Sequence, residues 1–167
     1  MAVIMGSDSD LPFLEPAIKV LEGFNLQVET RVLSAHRTPL KMVSFAREAE
    51  GKGLKVIIAG AGGSAHLPGM VASLTSLPVI GVPIQSKCLK GIDSLYSIVQ
   101  MPAGIPVATV AINGGLNAGL LAAQILSTIQ PELKIKISQY RKELHNQVIH
   151  KDKKLIELGA SKYLEEM

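Results

Sequence analysis

The chain alternates between short apolar runs and longer segments in which apolar residues recur every three or four positions. The runs are too short for buried helices and are rich in β-branched residues, so they predict strands. Three of the later runs are apolar without alternation, as is typical of a parallel sheet covered on both faces. The predicted strands are Ala2–Met5, Leu26–Leu33, Lys55–Ala59, Pro78–Pro83 and Val107–Ile112.

The segments between these runs predict helices, several of them with a proline in the first turn. We expect Asp8, Ser9 and Asp10 to cap the first helix. The alternation of strands and helices predicts an α/β protein, a doubly wound three-layer sandwich with a central parallel sheet. Ligands of such folds bind beyond the carboxyl ends of the strands. The predicted helices are Leu11–Gly23, Pro39 to about Glu50 with Thr38 as N-cap, Leu67–Leu74, Gly91–Val99 and Gly115–Ile129.

Beyond Pro131 the chain becomes more charged, with 8 Lys+Arg and 6 Asp+Glu in residues 131–167 against 9 and 8 in residues 1–130. Leu133–Ile149 and Asp152–Leu158 have helical patterns. They predict a long terminal helix with a broken extension that packs on its own domain or reaches a neighbouring subunit. We expect a single domain over 1–167, with an α/β core at 1–130 and a helical C-terminal extension at 131–167.

Composition excludes several classes of function. The net charge is +3 and aromatic residues make up 4%, with no one-sign basic patch, which argues against nucleic-acid binding. No apolar run reaches the ~20 residues of a membrane span, and the N-terminus lacks the features of a signal peptide, so we expect a cytoplasmic protein. Cys88, the single cysteine, permits no intramolecular disulfide and is expected to pack as a small side chain. Histidines and carboxylates at metal-ligand spacing are lacking, so no metal is expected.

The loop after the first predicted strand is Gly6-Ser7-Asp8-Ser9-Asp10. Glycine lets the backbone turn sharply, and serine hydroxyls together with the free N–H groups of a helix start bind phosphate. Carboxylates accept hydrogen bonds from ribose hydroxyls, so the combination suits a ribose 5-phosphate. Serine and aspartate before a helix are also ordinary capping residues, and the loop alone does not separate the two interpretations.

The loop after the second predicted strand, Ser34-Ala35-His36-Arg37-Thr38-Pro39, places a histidine beside an arginine. Arg37 adds a fixed positive charge at a helix N-terminus, where anions already bind. Histidine is the side chain that exchanges protons near neutral pH. A lone histidine is usually a packed or surface residue, but one beside an arginine at the carboxyl end of a strand is a candidate general acid–base. That role is our hypothesis for His36.

The third loop, Gly60-Ala61-Gly62-Gly63-Ser64-Ala65-His66-Leu67-Pro68-Gly69, has few side chains and offers backbone N–H groups. Such a nest can hold a carboxylate or an oxyanion. Its spacing fits neither the dinucleotide fingerprint nor the P-loop, which argues against NAD and ATP. His66 either faces the site or caps the next helix.

Other polar residues are weaker candidates. Ser86, Lys87 and Cys88 follow the fourth predicted strand and could edge the site. Asp93 and Ser94 are interpreted first as polar positions of a helix.

Four motifs in this order resemble the PurE family over roughly residues 3–130. They are Gly-Ser-x-Ser-Asp, Ser-Ala-His-Arg-Thr-Pro, Gly-Ala-Gly-Gly-x-Ala-His-Leu-Pro-Gly-Met and Asp-Ser-Leu-Tyr-Ser-Ile-Val-Gln-Met-Pro. Four separated motifs in register are far more specific than any one of them. The segment 112–119 is shorter than the related stretch of some members, and the tail past Pro131 carries no matching motif.

The resemblance implies a flavodoxin-like fold, a homo-octamer, no cofactor and a place in de novo purine (IMP) biosynthesis. The implied reaction interconverts N5-carboxyaminoimidazole ribonucleotide and 4-carboxyaminoimidazole ribonucleotide by loss of CO2 and its addition at C4. The implied roles are phosphate binding for Ser7 and Arg37, ribose binding for Asp10 with Ser9 beside it, general acid–base catalysis for His36, and the wall around the transferred carboxyl group for Gly62, Gly63 and His66.

Three alternatives stay open on the sequence. A second branch of the family carboxylates aminoimidazole ribonucleotide directly with CO2, although the third motif here resembles the mutase branch. A sugar-phosphate isomerase would normally show a second acid–base group near His36. A non-catalytic nucleotide-binding module would need Ser7, Asp10 and Arg37 but would be indifferent to His36.

Overall fold

The computed structural model describes residues 1–167 and joins five strands into one parallel sheet. The strands are Ala2–Met5 (β1), Glu29–Val32 (β2), Ile57–Gly62 (β3), Val79–Ile84 (β4) and Ala108–Thr109 (β5). Their order, β2-β1-β3-β4-β5, is that of flavodoxin-like folds and reverses at β1. The predicted α/β class, its parallel sheet and the flavodoxin-like topology are therefore confirmed.

The two strands at the sheet edges are shorter than their apolar runs predict. The run Leu26–Leu33 contributes four paired residues, and Val107–Ile112 contributes only two. An edge strand has a partner on one side alone, and β5 pairs with β4 only at Ile80 and Gly81. The length of an edge strand depends on that partner as well as on its own residues.

Each predicted helix of the core is present, with its ends within two residues of the prediction. The helices are Leu11–Gly23 (α1), Pro39–Glu48 (α2), Leu67–Ala72 (α3), Ile92–Val99 (α4) and Gly115–Ser127 (α5), followed by Pro131–Glu165 (α6). A short 3₁₀ turn, Asp8–Asp10, precedes α1.

Side chains of the sheet alternate between two apolar clusters, one on each face. Val3 and Met5 of β1 join the cluster under α1, α5 and the start of α6, whereas Ala2 and Ile4 join the cluster under α2, α3 and α4. Both faces are thus covered, as the non-alternating runs indicated.

Helices α1 and α5 pack closely because two glycines of α5 face α1. A Cβ atom at Gly115 would lie 2.0 Å from the backbone oxygen of Phe13, and one at Gly119 would lie 2.6 Å from Cγ1 of Val20. Since α1 begins directly after the 3₁₀ turn, this contact also positions the loop at the end of β1.

The C-terminal helix α6 is held by its first three turns. Leu133 and Ile137 are buried, Lys136 Nζ donates to the Phe24 carbonyl at 2.5 Å, and Tyr140 packs edge-on against Phe24. The predicted break near residue 150 is wrong: the helix continues to Gly159, whose φ of 71° interrupts it. None of the helices combines the length and the hydropathy that a bilayer-spanning segment needs.

Candidate active site

The loops after β1, β2, β3 and β4 meet at the carboxyl edge of the sheet and enclose a cavity of about 460 Å³. This volume lies within the range of small-molecule sites. All three loops singled out in the sequence line the cavity. Every predicted site residue is among the lining residues: Ser7, Ser9, Asp10, His36, Arg37, Gly62, Gly63 and His66.

The first loop is built as a capping box around the 3₁₀ turn. Ser9 N donates to Ser7 Oγ at 3.4 Å, and Ser7 N donates to Asp10 Oδ2 at 3.1 Å. The expected capping of α1 by Asp8, Ser9 and Asp10 is wrong, because no side chain at the N-cap of α1 makes a capping bond. Ser7 caps the 3₁₀ turn instead, and the Asp10 carboxylate turns back to the Ser7 amide.

Asp10 is a buried carboxyl group, 8% exposed, that lines the cavity. Burial raises the pKa of Asp10 above its ordinary value, and the hydrogen bonds from Ser7 and Ser9 and the charge of Arg37 oppose the rise. A carboxyl group whose charge is disfavoured by burial gains from any donor that a ligand brings, such as a ribose hydroxyl.

The second loop is closed by Thr38, which accepts from Ser34 N at 3.0 Å and donates to Ser34 O at 3.1 Å. Inside this loop Arg37 Nε approaches Ser34 Oγ at 3.4 Å, and Arg37 Nη2 donates to Gly6 O at 3.0 Å. The guanidinium is therefore tied to the first loop and makes no salt bridge with a carboxylate. Ser34 was missed in the sequence, although it stands in the same motif three residues before Arg37.

His36 and His66 contact each other across the cavity. His36 Nε2 lies 2.8 Å from His66 Nδ1, and the ring planes are 77° apart. One of the two nitrogens must carry the proton, so the tautomers of the two rings are coupled. Of the two alternatives for His66, the structure favours the first, because His66 lines the cavity and, although it stands at the N-cap position of α3, its side chain makes no capping bond.

Three of the N–H groups expected to be free in the third loop are bonded within the protein, whereas the amides of Ser64 and Leu67 have no protein partner. Gly63 N donates to Ser94 Oγ at 2.8 Å, Ala65 N to Gly63 O at 2.9 Å, and His66 N to Ser64 O at 2.8 Å. These three amides are used within the protein, so the wall near Gly62 and Gly63 is shaped by its lack of side chains. Gly63 has a φ of +67°, which favours glycine at this turn.

The fourth loop completes the cavity. Ser86 and Lys87 line it, as expected. Gln85 forms two hydrogen bonds with Asn113: Gln85 N donates to Asn113 Oδ1 at 2.9 Å, and Asn113 Nδ2 donates to Gln85 Oε1 at 3.1 Å. Cys88, expected to be a packing residue that could edge the site, is exposed on this loop and does not line the cavity. Its neighbours Lys87, Leu89 and Lys90 are exposed as well, so they do not bury the thiol.

Ser94 is a polar position of a helix, as the sequence indicated, but it faces the interior of the protein. It is fully buried on α4, and its hydroxyl also donates to Ile84 O at 2.6 Å. Its spacing of four residues from the buried Ile98 is the signal that could have found it.

The fold and the cavity define the class: a flavodoxin-like α/β protein with a small-molecule cavity at the carboxyl ends of its strands, lined by an arginine, serine hydroxyls and a pair of contacting imidazoles. The model of the AIR carboxylase family matches residues 1–147. The chain belongs to this family.

Relatives match it over almost its full length. An N5-carboxyaminoimidazole ribonucleotide mutase of Synechocystis sp. is 58% identical over 99% of this chain and 94% of its own length. A phosphoribosylaminoimidazole carboxylase of Candida glabrata is 53% identical over 99% of this chain but only 29% of its own length. The crystal structure of Treponema denticola PurE has 34% identity and a TM-score of 0.84, and covers 92% of this chain and 96% of that one. The similarity thus continues through the tail, beyond the limit near residue 130 that the motifs indicated.

Proposed function

We propose that this chain is a mutase that interconverts N5-carboxyaminoimidazole ribonucleotide and 4-carboxyaminoimidazole ribonucleotide in purine biosynthesis. The Synechocystis relative, matched over 94% of its length, is named for this activity, whereas the Candida carboxylase is matched over 29% of its length. The fold and the cavity support the same reaction, because the cavity combines an anion-binding end with a proton-transfer pair.

The anion-binding end is assigned to the substrate phosphate, held by Arg37 and Ser7. Arg37 uses Nη2 on the Gly6 carbonyl, so the guanidinium is fixed in place while its remaining N–H groups can bind phosphate oxygens. Asp10 accepts a ribose hydroxyl, with Ser9 beside it. Binding energy from the phosphate and ribose positions the distant ring for reaction.

The reaction moves one proton as well as one carboxyl group. Breaking the N–C bond of the carbamate releases CO2 and leaves the nitrogen in need of a proton. The enamine-like C4 then attacks CO2, and the new C–C bond leaves C4 with a proton to lose. His36 supplies the first proton and takes up the second, so it ends in its starting state.

His66 is assigned two tasks in this scheme. Its 2.8 Å contact orients the His36 ring and couples the tautomers of the two histidines. With Gly62 and Gly63 it also forms the wall against which the carboxyl group sits, where bulky side chains would fill the space that CO2 needs.

The observation that carries this proposal is the His36–His66 contact beside the side-chain-free wall, with Arg37 next in the chain. The test is the interconversion of the two carboxylated nucleotides, followed by absorbance, for wild type, His36→Asn and the control His150→Asn. His150 is exposed on α6 and does not line the cavity. We expect turnover without ATP or added bicarbonate, a loss of about 10²–10⁴-fold in kcat for His36→Asn with nucleotide binding retained, and no change for the control.

Two other outcomes would replace the proposal. Turnover only from aminoimidazole ribonucleotide with CO2 would make the chain a direct carboxylase. Retained nucleotide binding without turnover of either substrate would make it a non-catalytic binding module.

We also propose that the protein works in the cytoplasm as a homo-oligomer, an octamer if the family resemblance extends to assembly. Two observations support these proposals. For the compartment, the free, exposed thiol of Cys88 suits a reducing environment. For the assembly, α6 leaves apolar side chains exposed on one face past Tyr140: Leu144, Val148 and Leu155 are 41–64% exposed and recur at helical spacing. Light scattering tests the assembly, and a monomeric, fully active protein would contradict it.

A further inference from the structure

Side chains of α4 form hydrogen bonds with the turn after β3. Gly63 donates its N–H to Ser94 Oγ at 2.8 Å, and its carbonyl accepts from Ser97 Oγ at 3.3 Å. The turn exposes Gly62 and Gly63 to the cavity and bears no side chain of its own. Its shape therefore depends on contacts made on the side away from the ligand.

Ser94 is the stronger of these two contacts. Its hydroxyl accepts from Gly63 N and donates to Ile84 O at 2.6 Å, so it bridges the turn after β3 to the end of β4. The side chain is 0% exposed. A buried bond of this kind cannot be replaced by bulk water without leaving a donor or an acceptor unpaired.

Ser97 makes a weaker contact and serves as a matched comparison. It lies one turn further along α4, and its shorter bond, 2.7 Å, is to the Asp93 carbonyl of its own helix. Its loss leaves the Gly63 amide still paired with Ser94. Both serines lie on α4 and contact the same turn, but only Ser94 pairs with the Gly63 amide and with the end of β4.

We propose that Ser94 is a positioning residue that keeps the Gly62–Gly63 wall closed around the CO2 formed during the reaction. The proposal rests on the proposed mutase function. In that reaction CO2 exists between the breaking of the N–C bond and the attack by C4, and a neutral molecule of that size is retained by the fit of the wall rather than by charge. A wall that shifts by a fraction of an ångström allows CO2 to escape, leaving aminoimidazole ribonucleotide as a side product.

The test compares wild type, Ser94→Ala and Ser97→Ala in the mutase assay with ¹³C-bicarbonate present. Two quantities are measured relative to the formation of 4-carboxyaminoimidazole ribonucleotide: the release of aminoimidazole ribonucleotide and the entry of label into the product. For Ser94→Ala we expect both ratios to rise about tenfold, since the unpaired Gly63 amide loosens the turn. We expect Ser97→Ala to stay near wild type. Thermal melting checks that each variant is folded.

If Ser94→Ala fails to fold, Ser94→Cys takes its place, because it keeps the shape of the side chain with a weaker donor and acceptor. We expect its ratios to rise as well. Unchanged ratios in a folded, active Ser94 variant, or an equal rise in Ser97→Ala, would overturn the positioning role alone. Absence of turnover in the wild type would overturn the proposed function, and the role of Ser94 with it.

Discussion

The contact between α1 and α5 offers a sharp test of how the fold supports the site. A Cβ atom at Gly115 would lie 2.0 Å from Phe13 O, 3.1 Å from Phe13 C and 3.3 Å from Leu14 Cα. Ordinary contact begins near 3.4 Å, and all three neighbours are backbone atoms, so no side-chain rotation relieves the clash. Gly115→Ala must therefore push the two helices apart by about 1.4 Å at this end or unwind the first turn of α5.

Overpacking of this kind costs about 1–3 kcal/mol, while the better helix propensity of alanine returns less than about 1 kcal/mol. We expect a net loss of about 2 kcal/mol and a Tm lower by about 4–8 °C. Because Phe13 lies three residues after Asp10, displacement of α1 also moves the first loop, so nucleotide affinity should fall in the same variant.

Calorimetric melting and nucleotide titration of Gly115→Ala measure both effects. Gly23→Ala is the matched control, since it lies in the last position of α1 with nothing within 4 Å of its Cβ position. We expect that control to melt at or slightly above the wild-type temperature. A Gly115→Ala protein that melts within about 1 °C of wild type would refute the packing argument.

Three further predictions concern a carboxyl group, the C-terminal helix and the anion-binding arginine. Burial raises the pKa of Asp10 in the folded protein above its unfolded value of about 3.9. The protonated group therefore contributes to the free energy of unfolding below pH of about 3.9, and this contribution is lost as pH rises through the folded pKa. Asp10→Asn should thus melt above wild type at pH 7 and lose this advantage near pH 4; an advantage that grows toward pH 4 would contradict the assignment. Leu133 is 2% exposed, so Leu133→Ala should lower the free energy of unfolding by denaturant by about 2–5 kcal/mol. Ile135 is 73% exposed, and Ile135→Ala should lower it by less than about 0.5 kcal/mol. Equal losses would show that Leu133 does not anchor α6. Arg37→Lys should raise KM about tenfold with a smaller change in kcat, because an ammonium group cannot hold Gly6 O and a phosphate in a fork, and an unchanged KM would remove the arginine from phosphate binding.

Local patterns accounted for most of the fold. The bounds of α1 and β1 agree with the prediction to the residue, because helical periodicity, a proline in the first turn and a buried apolar run are properties of the segment itself. The edge strands and the tail were predicted less well. The length of β5 depends on its pairing with β4. In the tail, the signal for the break was Gly159, the single glycine past Pro131, which follows directly on the predicted segment Asp152–Leu158.

The candidate site shows the same division. Its residues could be found in the sequence because they stand in loops after apolar runs, and parallel strands bring such loops to one edge of the sheet. The contact of His36 with His66, the bond from Arg37 to Gly6, and the bond from Gly63 to Ser94 could not be found, because each joins residues about 30 positions apart. Composition and spacing determined which chemistry the chain carries. Only the packing of α4 and the order of the strands decided which of those groups touch, since contact between distant residues depends on the whole sheet and not on either segment alone.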